Sequence, residues 1–226
     1  MNMTIEEAKY VRNLHIPFFG CFMQQHPNAP RAINQLLLKY NFSTIIELGT
    51  HDAGLSTLLA LYCYLSKMPA SCENFKEPVL YKNNTHHKFP KSFYTFDNVI
   101  RDQNAINIIK ALGAQFLQYD ILTNEKCITT IGSLIQNNGR TLLLCDNGDK
   151  VKEFNIYSKF LKKGDIIMSH DFFENDEEFE KSKSEGRWFS CETKMQDIKK
   201  ACLDNKIIRV HSDIFNECFW FCGMKT

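Results

Sequence analysis

The segment Thr44-Ile45-Ile46-Glu47-Leu48-Gly49-Thr50-His51-Asp52-Ala53-Gly54-Leu55-Ser56 joins four features: an apolar run, an acid, a turn of small residues and the start of an apolar helical pattern. A parallel sheet builds nucleotide and nucleoside pockets at the carboxyl end of such a strand. Gly49 and Gly54 read as positions where the backbone comes too close to a ligand for a side chain to fit. Glu47 ends the strand beside that turn. The spacing is not G-x-G-x-x-G, and no Lys opens the following helix to hold a triphosphate. The expected ligand therefore carries no phosphates, unlike a dinucleotide or ATP.

Four more apolar runs end in acids. Ser92 to Phe96 leads to Asp97, and Ala114 to Gln118 leads to Tyr119-Asp120. Thr141 to Cys145 leads to Asp146-Asn147-Gly148-Asp149-Lys150, and Asp165 to Met168 leads to Ser169-His170-Asp171. An acid at a strand end is also the ordinary N-cap of the next helix, and for any single position that explanation is as good. Five in succession point to a shared cleft outside the carboxyl ends of the strands. Asp97 is placed to accept two hydrogen bonds from a ribose diol. Tyr119 or Asp120 lies where an adenine edge would be read.

The elements that must position these residues follow from periodicity. Thr4-Ile5-Glu6-Glu7 is a capping-box pattern and predicts a first helix. Residues 15 to 28 read as a loop carrying His15, Phe18, Phe19, Phe22 and His26, and Pro30 opens a second helix. The first strand, Thr44 to Leu48, is followed by a helix from about Ala53 to Leu65. Residues 67 to 92, with Pro69, Pro78 and Pro90, read as an insertion near the pocket mouth. Its His86-His87 pair reads as exposed polar loop rather than a metal site. Four strand-helix repeats come next, and the run Thr141 to Cys145 is continuously apolar, as a buried parallel strand is. Residues 172 to 190, including Trp188, read as a loop with about one helical turn. Ile207 to Val210 and Cys218 to Gly223 close the chain as two strands with a short link, which suggests antiparallel pairing. The expected fold is α/β: a doubly wound, mostly parallel seven-stranded sheet with an antiparallel last strand. One domain spans residues 1–226, with N-terminal helices and a lid over 1–42.

Composition narrows the function class. The 226 residues carry a net charge of +1, so no strong field favours nucleic acid or anionic lipid. Hydrophobic residues make up 44% and charged residues 23%, ordinary values for a globular protein. Nine cysteines are scattered without a Cys-x-x-Cys pair, which argues against a zinc site and for buried thiols in a reducing, cytoplasmic setting. No apolar run approaches the roughly 20 residues that span a bilayer. The composition leaves homo-oligomers open.

These motifs together resemble the class I S-adenosylmethionine-dependent methyltransferases. Glu47-Leu48-Gly49-Thr50 with Gly54 and Ser56 is similar to that family's first motif, and Asp97 to its ribose-binding acid. Within the class, Leu144-Cys145-Asp146 and Gly164-Asp165-Ile166-Ile167-Met168-Ser169-His170-Asp171 resemble the metal-dependent O-methyltransferases, both the catechol type and the sugar-modifying, cephalosporin-hydroxylase-like branch. Met23-Gln24-Gln25-His26-Pro27 resembles the sugar branch. The resemblance implies a Rossmann-like methyltransferase fold that binds S-adenosylmethionine and methylates a small-molecule or glycan hydroxyl. It places the cofactor on Glu47, Gly49, Thr50, His51, Gly54, Ser56, Asp97, Tyr119 and Asp120. It places a divalent cation, magnesium or manganese, on Asp146, His170 and Asp171. The turn from Gly49 to Gly54 is one residue longer than the family's, and His170 stands where the family has a carboxylate. Magnesium prefers oxygen ligands. The histidine thus implies a softer metal, a water-mediated contact, or no metal with His170 as base. Lys150, one residue displaced from the base of catechol-type enzymes, and Asp149 are the other candidate bases.

Overall fold

The computed structural model describes residues 15–65, 90–184 and 192–226. The Thr4–Glu7 helix, residues 67–89 of the expected insertion with His86-His87, and Trp188 lie outside them. Seven strands form the central sheet: β3 (Thr44–Leu48), β4 (Ser92–Asp97), β5 (Gln115–Gln118), β6 (Thr141–Cys145), β7 (Ile166–His170), β10 (Ile207–Arg209) and β11 (Trp220–Lys225). Their spatial order is β10-β11-β7-β6-β3-β4-β5. The strands from β3 to β7 pair in parallel, and β11 is antiparallel to both β7 and β10. The order reverses between β3 and β6, the place where such sheets open a crevice for ligands.

Helices cover both faces. On one side, α1 (Ala29–Lys39), α2 (Gly54–Leu65) and α3 (Gln103–Ala111) bury Ile33, Leu36, Leu59, Ala60, Ile106 and Ile109 against Ile45, Leu142 and Trp220. On the other, α4 (Glu125–Asn137), α5 (Lys150–Tyr157) and α7 (Met195–Asp204) bury Ile131, Ile135, Phe154, Tyr157 and Ile198 against Ile46, Leu143 and Phe221. Strands β3, β6 and β7 are buried along their whole length, because helices close over both pleats. Asp102 and Asn124 cap α3 and α4 by accepting from backbone N–H groups.

Three segments differ from the sequence expectation. Residues 15–24 are not a loop. They form an antiparallel hairpin of β1 (His15–Phe18) and β2 (Cys21–Gln24) around a two-residue turn. Phe19 and Gly20 both take positive φ, 51° and 82°, as the favoured two-residue hairpin turn requires. A phenylalanine is an unusual choice there and hid the turn. Next, residues 172–184 contain a short strand, β8 (Phe172–Phe173), which pairs with β9 (Thr193–Lys194), and a full helix, α6 (Asp176–Ser184). Its acidic first turn and basic last turn suit the helix dipole. Lastly, the link between the final strands holds helical turns, including α8 (Ser212–Phe215).

The hairpin docks on the start of α2. Phe22 and Ala53 form a bridge, and a Cβ added to Gly54 would lie 2.4 Å from the Met23 backbone. Gly54 is therefore glycine because β2 passes over it. A Cβ on Gly148 would meet nothing within 4 Å. Gly54→Ala is expected to cost about 2 kcal/mol through overpacking against backbone that cannot yield. Gly148→Ala is expected to stay within about 0.5 kcal/mol. Denaturant unfolding of the two variants checks the contrast.

Candidate active site

The ends of β6, β7 and β11 lie side by side. Cys145 pairs with Ser169, and His170 pairs with Trp220. This register puts Asp146, the residue after β6, next to the last residue of β7. His170 Nδ1 lies 2.8 Å from Asp146 Oδ1. Asp171 takes a left-handed conformation, φ 51°, as the chain leaves β7. Its Oδ1 is 3.6 Å from the same imidazole nitrogen, and its Oδ2 is 3.0 Å from Lys150 Nζ. Lys150 comes from the first turn of α5 and is only 4% exposed. The Trp220 indole lies over the His170 ring, with centroids 4.6 Å apart and planes inclined by 31°. Asp146, Lys150, His170 and Asp171 are thus one cluster at the carboxyl ends of adjacent strands.

Its charges balance within the protein. Burial alone would lower the His170 pKa, but the carboxylates of Asp146 and Asp171 outweigh it and raise the value. Burial alone would raise the Asp171 pKa, but His170 and Lys150 hold it below the usual carboxylate range. Two carboxylates thus face one ammonium and one imidazole that readily gains a proton.

The same cluster can be tested against a cation. Ligand atoms of Asp146, His170 and Asp171 lie within 4.8 Å of one another, and no other such group occurs among the described residues. One imidazole with two carboxylates suits a borderline metal such as manganese better than magnesium, which favours an all-oxygen shell. The set therefore fits a cation, with Asp171 Oδ1 facing the group while its Oδ2 stays on Lys150.

The expected cofactor residues fall into two groups. Glu47, Thr50 and Ser56 turn inward. Glu47 is 1% exposed and accepts hydrogen bonds from the hydroxyls of Ser56 and Thr95, the latter at 2.6 Å. Thr50 Oγ1 lies 2.6 Å from Thr95 Oγ1. Burial pushes the Glu47 carboxyl up to about 8, against the two hydroxyl donors that favour its charged form. Asp97 holds the turn: its Oδ2 accepts from the N–H groups of Thr50 (3.1 Å) and His51 (2.9 Å), and its Oδ1 from Val99 N–H (3.0 Å). Gly49, at φ 102°, leaves no room for a side chain, because a Cβ would sit 2.4 Å from the Asp146 carbonyl oxygen. The chain's own backbone, not an open pocket, takes the space at both Gly49 and Gly54. His51 and Ala53 also take positive φ, 47° and 60°, so the turn bends by left-handed residues that are not glycine.

The remaining expected residues face outward. Tyr119 is exposed. Asp120 is exposed too, and its carboxylate accepts from Leu122 N–H and from Thr123, which lowers its pKa. Asp149 caps α5 by accepting from Lys152 N–H at 3.0 Å. Asp120 and Asp149 line a cavity of about 140 Å³ with Asn98, Ile121, Leu122, Asn147 and Gly148. That cavity sits where β4, β5 and β6 end. Sequence reading missed Gln25, Thr95 and Trp220 as parts of the site. The Gln25-His26-Pro27 motif was noticed only as a resemblance, and nothing local tied Thr95 to Glu47 or Trp220 to His170.

Glu47 also gives a stability test. A raised carboxyl contributes most stability below its ordinary value of 4.5, and that contribution is lost as the pH rises through about 8. Glu47→Gln removes this titration. The variant should gain on the wild type between pH 5 and pH 8, by about 2–4 kcal/mol. Chemical unfolding at the two pH values measures the difference.

No family model and no curated protein matches the chain. Solved structures do match. Against cmcI-D160 Mg-SAM, identity is 13%, with 93% of this chain and 76% of that chain covered at a TM-score of 0.55. Against an O-methyltransferase family protein from Burkholderia thailandensis, identity is 10%, with 87% of this chain and 56% of that chain covered at a TM-score of 0.49. The strand order, the single reversed strand β11 and the likeness to the cmcI form agree: the chain has the fold of the class I S-adenosylmethionine-dependent methyltransferases, the family its motifs resemble.

Proposed function

We propose that this protein transfers a methyl group from S-adenosylmethionine to a hydroxyl of a sugar or glycan. The observation that carries the reading is the cluster of Asp146, Lys150, His170 and Asp171 beside the switch point of a methyltransferase fold. Support for the cofactor comes from the turn that Asp97 ties together and from the cavity around Asp120 and Asp149. At about 140 Å³ that cavity is smaller than the ~300 Å³ at which small-molecule pockets begin. It suits one end of a nucleoside. The rest of the cofactor would lie along Gly49, Thr50, His51 and Asp97. The cmcI neighbour is a Mg-SAM form, which accords with the cofactor and with a cation.

In the proposed reaction the acceptor oxygen attacks the methyl carbon in line with the departing sulfur. An O–C bond forms, the C–S bond breaks, and the neutral thioether S-adenosylhomocysteine leaves. The hydroxyl proton goes to His170, whose Nδ1 is turned towards Asp146, leaving Nε2 for the acceptor. Lys150 holds Asp171 beside it and offsets its charge. A divalent cation held by the Asp146 and Asp171 carboxylates would supply Lewis-acid stabilisation of the acceptor oxygen and leave His170 Nε2 free for the proton. Glu47, Thr95 and Ser56 act further back, by fixing the strand from which the turn departs.

Calorimetry with S-adenosylmethionine and with NAD tests the cofactor. Binding of the first and not the second is expected. Asp97→Ala should weaken binding by more than ~1 kcal/mol, since the turn loses its charged anchor. A screen for S-adenosylhomocysteine release over sugars and catechols, with and without chelator, tests the acceptor and the metal. Turnover on saccharides that collapses in chelator is expected. Activity on catechols alone overturns the sugar assignment, and full activity in chelator overturns the cation.

A further inference from the structure

We propose that Gln25 is the positioning residue of the site: it fixes the Asp146 carboxylate and, through it, the ring of His170. The inference rests on the proposed role of His170 as proton acceptor. Gln25 follows β2 of the N-terminal hairpin and is 8% exposed. Its Nε2 donates to Asp146 Oδ2 at 2.8 Å, and its Oε1 accepts from Trp220 Nε1 at 3.0 Å.

The direction of this chain is forced. An indole N–H can only donate, so the amide oxygen must face Trp220. The amide NH2 must then face Asp146, which presents an acceptor. With Oδ2 held by Gln25, Oδ1 is left to meet His170 Nδ1 at 2.8 Å. Trp220 serves twice, since its ring also lies over the His170 imidazole. The ring is thus fixed in its plane by one contact and over its face by another. Four parts of the chain meet here, at Gln25, Asp146, His170 and Trp220, and Gln25 is the one that comes from outside the central sheet and its strand ends. Gly54 makes that possible by letting the Met23 backbone pass.

The test reads His170 without requiring turnover. Protein with ring-15N histidine is examined by long-range 1H–15N correlation, the His170 signal being assigned from its loss in His170→Gln. At alkaline pH, where the imidazole is neutral, wild type should show one tautomer, protonated on Nδ1. Gln25→Leu should show the averaged pattern of a mobile imidazole at an unchanged fold. Gln25→Glu should do the same, because a second carboxylate cannot donate to Asp146. Trp220→Phe keeps an aromatic ring but deletes the indole donor, and should shift the signal in the same direction by less. It decides the matter if Gln25→Leu does not fold. Where methyl transfer is measurable, Gln25→Leu should lower kcat about tenfold or more, the scale of one charged hydrogen bond, with KM for the cofactor nearly unchanged. A wild-type His170 spectrum in folded Gln25→Leu and Trp220→Phe overturns the proposal. The spectrum reports on Gln25 even if the wild type binds no S-adenosylmethionine, so failure of the functional reading stays separate.

Discussion

The contact between Asp146 and His170 is the constraint on which the site depends. It is a consequence of sheet register. A slip of one residue between β6 and β7 would turn His170 to the opposite face of the sheet, away from Asp146. The register is protected by burial: β6 and β7 have no exposed residue, so any slip would also reverse every apolar side chain between two helical layers. β11 extends the same logic. Trp220 stands opposite His170 only because β11 returns antiparallel on β7. The reversed strand of this fold thus delivers the ring that covers the histidine.

The five acids at the strand ends do different things, and burial sorts them. Glu47 is sealed among Ser56, Thr95 and the sheet, and its carboxyl holds its proton up to about pH 8. Glu153 in α5 is equally buried, is also pushed up to about 8, and has one oxygen without a hydrogen-bond partner among the described residues. Asp97 spends its oxygens on three backbone N–H groups, and Asp120 on its own turn. Asp146 and Asp171 keep side-chain partners. Only in that last pair does protein charge meet protein charge, through His170 and Lys150. A carboxylate bound to its own backbone builds shape, whereas one that faces a titratable side chain can take part in proton movement.

The turn after β3 shows how little of its form is owed to a ligand. Gly49 gives way to the Asp146 carbonyl and Gly54 to the hairpin. His51 and Ala53 take left-handed conformations that cost most residues about 1–2 kcal/mol. The cost is offset by the Asp97 carboxylate, which accepts from Thr50 and His51, and by the bridge from Ala53 to Phe22. The turn and the hairpin therefore form one unit, and the site reaches through Gln25 into a segment well before the first sheet strand.

Much of the fold was legible along the chain. Apolar runs bounded by acids located β3 to β7, and helical spacing located α1 to α5 and α7, because both signals are local. Asp146 and Asp171 are legible as strand-end acids in the sequence alone. The hairpin was missed because its turn uses Phe19 where asparagine or glycine is usual. The meaning of the two glycines was missed because only the folded chain brings β2 and β6 against them. Partners distant in sequence were invisible for the same reason: Thr95 on Glu47, Trp220 on His170, and Gln25 on Asp146, 121 positions away. The sequence by itself determined which residue types end which strands, since hydrophobic period and turn chemistry act over a few residues. The tertiary structure decided which of those acids are neutral, which hold backbone and which meet a base, because burial and pairing depend on neighbours that the local pattern does not contain.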